Sequence, residues 1–493
     1  MLQLPLILIL LACALAVSHA SVTIFLCCAV GFACSLWLLY GFGRGTHPVR
    51  LTWLLASGLL LGYCGGDVVG QSLYGLVGQD AIGAIGIDSR YIAYGLMLVF
   101  GGCAGLLFTG NFETPLLRDL PAIQFDPKLE RFIWLFIALT AAAFLHGDFG
   151  YSASPINPTG EKISVLAGIC AAGGMALPPL ACLGYVQASG FRKFRLGLLT
   201  LLSFGALVPV SRRDVFYTAL VSAFCILQLS GRKFHMSTLR KVVLGTIAMA
   251  AFLVSSLVFF GIRASAVEQS QGSGRQADSG EKVTLAEGLA AARIGVFSDP
   301  RALMADMASK LQDRVFVIDY LSLLARGGNA QSPMYGQDAL FAMKMGIPDA
   351  IYDAFGVSKD PVREIGAEEG VANEHFGLNV TDEANSILTA GVIDFGFVGV
   401  IVYPILLCFL VRKELELLRY LFSDRIYLIV IVLVLGTLVQ TELELDTYVQ
   451  LFRNLLLIAI GCAALFSVPA VVRSRRKTIP PLARPINAPF TKA

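Results

Sequence analysis

The stretch ALVPVSRRDVFYTAL, residues 206–220, places Arg212, Arg213 and Asp214 inside an apolar run that covers residues 196–229. One continuous helix over that run would be ~52 Å long at 1.5 Å per residue, which exceeds a hydrocarbon layer of ~30 Å. The run must therefore break, and a proline three residues before the first arginine marks the position. The two halves form either a complete hairpin or a re-entrant pair whose tip stays within the membrane.

The composition of the chain sets the class of protein. Of 493 residues, 56% are hydrophobic and only 15% are charged, and the mean hydropathy is +0.70. These values predict an all-α polytopic membrane protein. A net charge of only +3, without zinc-finger spacings or basic arms, argues against binding to nucleic acid. All eleven cysteines lie in apolar stretches and form no C-x-x-C pair, so they do not indicate a redox compartment.

Hydropathy predicts about 12 transmembrane helices, within a range of 11–13, because each crossing needs about 20 apolar residues. The first is expected to stay uncleaved because it lacks a positively charged start, although SHA, ending at Ala20, resembles a signal-peptidase site. The predicted spans are 2–18, 22–43, 51–66, 91–109, 132–147, 163–188, 196–211, 215–230, 242–262, 386–411, 426–440 and 450–470.

Lysines and arginines in the short loops orient these helices. If the basic tail at 473–477 is cytoplasmic, counting backwards places every strong basic cluster, and both termini, on the cytoplasmic side. The outer side then receives segments 67–90, 148–162, 209–214, 263–385 and 441–447. The clusters are Arg44/Arg50, Arg118/Lys128/Arg131, Arg192/Lys193/Arg195, Arg232/Lys233/Arg240/Lys241 and Arg412/Lys413/Arg425. The pair in the opening stretch is the exception, since it is basic and faces outwards.

The chain divides into four predicted parts. They are 1–262 with transmembrane helices 1–9, a large outer loop at 263–385, 386–470 with transmembrane helices 10–12, and a basic cytoplasmic tail at 471–493. This layout predicts a multi-pass membrane protein whose large loop lies on the outer side.

The outer loop contains several predicted elements. Residues 268–280, EQSQGSGRQADSG, are polar and rich in glycine and serine, which predicts a flexible stretch. An amphipathic helix is predicted from Ser298 or Asp299 to a stop at Gly327, because apolar residues recur at helical spacing between them. Shorter helices are predicted over 336–345 and after Pro348. We therefore expect a helical cap that rests on the membrane domain.

The arginine pair has two open interpretations. Arg212 and Arg213 either extend to phospholipid head groups, with Asp214 as a local partner, or bind an anion with several oxygens. The second is favoured because an arginine at the centre of a membrane helix costs about 2.5–3.5 kcal/mol. A lipid-linked diphosphate is an anion of that kind. Arg263, directly after the ninth span in FFGIRAS, either extends to head groups in the same way or joins the positive pocket.

Three residues are candidates for acid–base chemistry. Glu374-His375 in the outer loop forms either a general base or an exposed surface pair. Asp394 in GVIDFGFVG lies inside the tenth span near its outer end, where an ionisable group is functional by default. The histidines show no metal-ligand spacing, so no metal site is predicted. The sequence also lacks GxxxxGK[ST], G-x-S-x-G and HExxH, which argues against ATP hydrolysis and against two common hydrolase mechanisms.

Several features together resemble the oligosaccharide repeat-unit polymerases of bacterial envelopes, the O-antigen or Wzy-type family. They are about a dozen spans, one large late outer loop and an arginine at a helix break, PVSRRDVF. Two further stretches resemble the family's loop and helix start: SPMYGQDALFAMKMGIPDAIYD at 332–353 and HFGLNVTDEANSILTAGVIDFGFVGVIV at 375–402. Asp349 follows Ile347-Pro348 where the family pattern has a basic residue, which argues against a phosphate role for that segment.

The resemblance implies a substrate and a reaction. An undecaprenyl-diphosphate-linked oligosaccharide on the periplasmic face would give up its glycan to a hydroxyl of an incoming lipid-linked repeat, yielding a surface polysaccharide or exopolysaccharide. Arg212 and Arg213, with Arg263, would stabilise the departing diphosphate, and Glu374 or His375, with Asp394 in reserve, would act as base. No metal or nucleotide cofactor is implied. A flippase and a chain-length regulator are the implied protein partners.

Other functions remain open. An O-antigen ligase, or a related polyprenyl-phosphate glycosyltransferase, would differ only in its acceptor. A secondary transporter or flippase of glycans would show broken helices at matching positions of both halves, and only the pair at 196–230 is interrupted. A non-catalytic scaffold of an envelope assembly would tolerate exchange of its exposed charged pairs.

Overall fold

The computed structural model describes residues 3–76, 87–116, 125–145, 170, 173–207, 212–229, 318–326, 333–359, 368–378 and 385–467. Of these residues, 84% are helical and none forms a strand, so the described chain is all-α. The predicted span at 242–262, the predicted flexible stretch at 268–280 and the basic tail at 471–493 lie outside the described residues.

The described residues form fifteen helices. In chain order they are α1 Gln3–Val17, α2 Ser21–Arg44, α3 Leu51–Leu76, α4 Ser89–Gly110, α5 Pro127–Leu145, α6 Leu177–Gln187, α7 Gly190–Leu207, α8 Arg212–Leu229, α9 Ile318–Arg326, α10 Gln337–Gly346, α11 Asp349–Ala354, α12 Glu368–Phe376, α13 Ile387–Leu421, α14 Asp424–Leu438 and α15 Leu445–Ser467.

Five helices are long and apolar enough to cross a membrane, namely α2, α3, α4, α13 and α15. The shorter α1 and the Tyr217–Leu229 part of α8 are apolar as well. Eleven of the twelve predicted spans overlap a helix of the described structure, but a count of twelve crossings stays a prediction.

One end of the helix bundle collects the basic loops that the structure describes; the cluster at 232–241 lies outside the described residues. Glu113, after α4, accepts hydrogen bonds from the backbone N–H groups of Leu51 and Thr52 at the start of α3, at 3.0 and 3.2 Å. Arg425, at the start of α14, lies 2.5 Å from Asp126, just before α5. Three of the basic clusters predicted to share one side therefore meet in space, and we call this end the basic end.

The other contacts at the basic end involve α7, α8 and α15. Arg195 of α7 lies 2.7 Å from Glu130 of α5, and Lys128 donates to the carbonyl of Phe466 near the end of α15 at 2.7 Å. Gln228, at the end of α8, donates to the carbonyl of Phe42 in α2. The contacts at the basic end thus connect the termini of eight helices, namely α2, α3, α4, α5, α7, α8, α14 and α15.

The third predicted span ends too early. We predicted a loop from residue 67, whereas α3 continues to Leu76. Asp67 is 1% exposed and accepts a 2.7 Å hydrogen bond from Gln71, one turn later in the same helix. Polar side chains that face neighbouring helices lower the hydropathy of a segment without ending the helix, which is why hydropathy placed the boundary before Asp67.

Helix α4 begins with an acidic cap. The carboxylate of Asp88 accepts a hydrogen bond from the backbone N–H of Arg90 at 2.9 Å, which satisfies one of the free donors at a helix start. Hydrogen bonds from the Arg90 side chain and backbone lower the pKa of Asp88 to about 2. The cap therefore stays ionised at any physiological pH.

Helix α13 is interrupted after two turns. Phe395 and Gly396 leave the helical conformation, and Gly396 has φ 59° and ψ −142°, a region open essentially to glycine alone. Before the break, residues 387–394 form a half-helix. After it, the chain turns back so that Gly391 and Gly399 touch backbone to backbone. The tenth predicted span therefore consists of a half-helix and a longer helix that pack against each other.

The glycine crossing provides a test of this break. A Cβ added to Gly399 would overlap the backbone of Gly391, so Gly399→Ala is expected to destabilise the protein by about 1–3 kcal/mol through overpacking. The measurement is the midpoint of thermal aggregation in detergent. Gly101→Ala in α4 is the matched control, because a Cβ there meets nothing within 4 Å. Equal midpoints for the two variants would contradict the crossing.

The described parts of the outer loop are helical and lie on the membrane helices. Within the predicted amphipathic helix, α9 packs against α4 and α13, and its Leu321 and Leu324 are fully buried. The predicted helices over 336–345 and after Pro348 correspond to α10 and α11. Helix α10 packs against α13, α15 and α12.

Candidate functional site

The break in α13 surrounds a buried carboxylate. Asp394 is 0% exposed, and its oxygens accept hydrogen bonds from the backbone N–H groups of Gly336, Asp338 and Ala339 at 3.1, 2.9 and 2.9 Å. The hydroxyl of Tyr403, from the helix beyond the break, donates a fourth hydrogen bond. Both carboxylate oxygens are thus engaged.

This arrangement joins two distant parts of the sequence. The N–H donors belong to the loop before α10 and to its first turn, where backbone amides otherwise lack acceptors. Two backbone bonds extend the contact, from Met334 to the carbonyl of Ile393 at 2.9 Å and from Tyr335 to the carbonyl of Asp394 at 2.8 Å. The stretches at 332–353 and 375–402 therefore meet at Asp394.

The turn held by Asp394 has an unusual backbone. Tyr335 has φ 54°, the one positive value found for a non-glycine residue in the described chain, and Gly336 follows with φ 93°. A non-glycine residue in the left-handed region costs of order 1 kcal/mol and persists only where its surroundings impose it. Here the backbone bonds to Ile393 and Asp394 impose the conformation.

The other end of α10 is held by cations. Lys359 donates to the carbonyls of Met345 and Ile347 at 2.7 and 2.8 Å, and Arg453 of α15 donates to the carbonyl of Gly346 at 2.8 Å. Helix C-termini carry partial negative charge, and N-termini carry partial positive charge. With Asp394 at its start and two cations at its end, α10 is fixed at both termini by charges that complement its dipole.

The arginine pair lies far from the basic end. Arg212 begins the described part of α8, and Gln228 near its other end contacts α2 at the basic end. Sixteen residues of helix separate them, or ~24 Å. We predicted the pair in a turn at 209–214; the backbone from Arg212 onward is instead helical, and residues 209–211 lie outside the described residues. The side chains of Arg212, Arg213 and Asp214 lie outside the described structure.

Asp394 lies at a similar height in the bundle. Arg412, in the same helix α13, donates to the hydroxyl of Thr114 at the basic end. About fifteen helical residues, or ~22 Å, separate Arg412 from the break. The same estimate for Arg453, thirteen residues before Phe466, gives ~20 Å. By these helix lengths, the start of α8, the break in α13 and Arg453 each lie about 20–24 Å from the basic end, toward the opposite end of the bundle.

The remaining predicted site residues are only partly described. His375 is exposed and lies on α12, which packs against α10, and its ring contacts Phe376 at 4.6 Å between centroids. The backbone of Glu374 belongs to the same helix, while its side chain is outside the described structure. Arg263 lies outside the described residues altogether. Among the described residues, no three His, Cys, Asp or Glu side chains form a group suited to a metal ion.

Sequence reasoning missed two residues of this region. Tyr403 was overlooked because a tyrosine in an apolar span carries no signal of its partner. Arg453 lies inside the last predicted span. An arginine within a membrane span costs free energy and usually faces other protein groups, so its position in the sequence could have indicated a buried contact. Tyr335 was already part of the Tyr-Gly pair in the loop stretch that resembles the polymerases, and the structure adds its left-handed backbone.

Searches with this chain found no matching family model, no matching curated protein and no matching solved structure. The class of protein therefore rests on the chain's own features. Its described residues form an all-helical membrane protein with five candidate spans.

Proposed function

We propose that this protein polymerises oligosaccharide repeats carried on a polyprenyl diphosphate, at the periplasmic face of a bacterial inner membrane. The observation that carries the proposal is the contact centred on Asp394, which joins the loop before α10 to the break in α13. These are the two stretches whose sequences resemble the repeat-unit polymerases. By its helix length, the start of α8, with Arg212 and Arg213, lies about as far from the basic end as this contact.

The reaction requires little beyond charge stabilisation and one base. The oxygen of an acceptor hydroxyl attacks the anomeric carbon of the donor glycan, the bond from that carbon to the diphosphate oxygen breaks, and polyprenyl diphosphate leaves with the electron pair. Arg212 and Arg213, with Arg263, stabilise the charge that develops on the diphosphate. Glu374 or His375 takes the proton of the hydroxyl. We assign Asp394 a positioning role, because its oxygens already accept four hydrogen bonds.

The orientation of the bundle is part of the proposal. The basic end faces the cytoplasm, in accord with the preference of lysine and arginine for that side, and the opposite end faces the periplasm. Both termini are then cytoplasmic. A flippase would deliver the lipid-linked repeat to this face, and a chain-length regulator would act on the product.

Reconstitution tests the proposal directly. The purified protein is placed in liposomes with lipid-linked repeats isolated from cells that lack it, in the presence of EDTA and without nucleotide. The expected result is a ladder of longer lipid-linked glycans with release of polyprenyl diphosphate, because neither metal nor ATP enters the reaction. Glycan transfer to a different lipid acceptor, without a ladder, would indicate the ligase alternative.

One observation favours a second candidate, a glycan transporter. The half-helix of α13 is a discontinuous membrane helix, which is typical of secondary transporters. In the same liposomes, a transporter would move lipid-linked repeats across the bilayer without forming any glycosidic bond. Lipid-linked repeats that cross the bilayer without being lengthened would contradict the polymerase proposal and support the transporter.

A further inference from the structure

We infer that Tyr335 and Phe395 form a stacking surface for a sugar ring of a membrane-anchored glycan; this inference rests on the proposed function and names a part of its substrate site. Tyr335 is 78% exposed and Phe395 is 42% exposed. The Phe395 ring lies beside the turn, because a Cβ added to Gly336 would meet its Cζ at 3.9 Å. We call these two residues the aromatic pair.

The backbone of the aromatic pair is fixed although the rings are exposed. Tyr335 is held in the left-handed region by its bond to the Asp394 carbonyl, and Phe395 stands at the break in α13 with φ −136°. The neighbouring Met334 and Asp338 are 4% and 0% exposed, so buried side chains on both sides anchor the turn that exposes the Tyr335 ring. Strain at a rigid, exposed position is characteristic of binding sites.

The surface below the aromatic pair indicates what kind of molecule reaches it. Beyond the break, α13 exposes an apolar stripe that runs toward the basic end. Its members are Phe397, Val398, Ile401, Val402, Leu406 and Phe409, each 42–65% exposed. On a candidate membrane-spanning helix, an exposed apolar stripe faces lipid. The aromatic pair therefore stands where a lipid-facing surface meets the outer end of the bundle.

A lipid-linked glycan fits this position. Its polyprenyl tail lies in the bilayer beside the stripe, and its first sugars emerge at the level of the aromatic pair. A sugar ring presents a face of C–H groups that packs against an aromatic ring, and ligand sites commonly combine such rings with a few polar groups. Gln337, exposed at the start of α10, supplies an amide next to the pair.

Photo-crosslinking tests the inference without relying on activity. The photoreactive residue p-benzoylphenylalanine replaces Tyr335 in the full-length protein, in membranes that contain accumulated lipid-linked repeats. Tyr420 is the matched control position, because it is 87% exposed but lies in regular helix near the basic end. We expect a glycan-bearing adduct at 335 at least about tenfold above that at 420. Adducts with phospholipid alone at 335 would overturn the inference and make Tyr335 an ordinary interfacial anchor.

A pair of substitutions gives a second readout. Tyr335→Gly relieves the left-handed backbone, so its thermal midpoint is expected to equal or exceed that of the unmodified protein, while the KM for the lipid-linked repeat rises about tenfold. Tyr335→Phe keeps the ring and is expected to keep the KM. An unchanged KM in Tyr335→Gly would overturn the inference.

The two proposals can fail separately. Glycan crosslinking at 335 in a protein that never lengthens glycans would contradict the proposed polymerase function but support the proposed sugar site. A glycan ladder in liposomes without a glycan adduct at 335 would contradict the proposed sugar site but support the proposed polymerase function.

Discussion

Replacing Arg212 and Arg213 with alanine is expected to abolish long-chain glycan in cells while single lipid-linked repeats accumulate. In liposomes, kcat/KM is expected to fall at least about 100-fold, as is typical when a group that stabilises a developing negative charge is removed. Both arginines lie at the start of the described part of α8. The measurement is the length distribution of glycans on a gel.

Lys193→Ala is the matched control, because it removes one positive charge from the start of α7, at the basic end. Its glycan pattern is expected to match the unmodified protein. Arg212→Lys keeps the charge but loses the planar, two-pronged donor, so an intermediate loss is expected. A normal glycan chain length in the double alanine variant would contradict a role in catalysis. Contact of Arg212 and Arg213 with phospholipid head groups would then be the remaining interpretation. Cytoplasmic accessibility of a reporter at residue 213 would contradict the proposed orientation.

The common location of the basic loops could be predicted because charge patterning is local and additive. Each cluster was assigned from its own few residues, and contacts such as Arg425 with Asp126 then show the loops meeting at one end. The acidic partners were not predicted. Glu130, only 7% exposed, pairs with Arg195 of a helix about sixty residues later, and hydropathy contains no information about such pairings.

Helix boundaries were less predictable than helix existence. Asp67 marked the end of α3 by hydropathy, yet the helix continues because its carboxylate and the Gln71 amide satisfy each other in the interior. The break in α13 shows the opposite error. Its residues are apolar enough to predict one span at 386–411, and only the ψ and φ of Gly396 reveal two segments. A window average cannot distinguish a straight helix from a folded one.

The chemical context of Asp394 depended on a pairing that sequence does not encode locally. Its position near the outer end of a span was predicted, and an ionisable residue there indicated function. Its partners are backbone amides about 56 residues earlier, and every residue type except proline can supply a backbone N–H. The structure thus gives this carboxylate a specific job, holding the first turn of α10, that residue identity alone left open.

Asp394→Ala is accordingly expected to destabilise the protein by about 3–5 kcal/mol, because buried donors then lose a charged acceptor. The loop before α10 should become sensitive to protease, since the Asp394 side chain holds Gly336, Asp338 and Ala339. Polymerase activity should fall in parallel with the folded fraction. Thermal midpoints in detergent and limited proteolysis measure both effects.

Variants of Tyr403 and Asp394 distinguish a positioning carboxylate from a general base, because the two roles predict different losses of stability and activity. Tyr403→Phe removes one of the four hydrogen-bond donors and leaves the carboxylate. We therefore expect a loss of about 1–2 kcal/mol in the free energy of unfolding, with activity retained at temperatures below the thermal midpoint. Asp394→Asn retains one acceptor oxygen but turns an N–H group toward other donors. Its stability should therefore lie between that of Tyr403→Phe and that of Asp394→Ala. A base would behave differently. Asp394→Asn would then keep its thermal midpoint and lose about 100-fold or more in kcat, and that combination would return Asp394 to the catalytic group with Glu374 and His375.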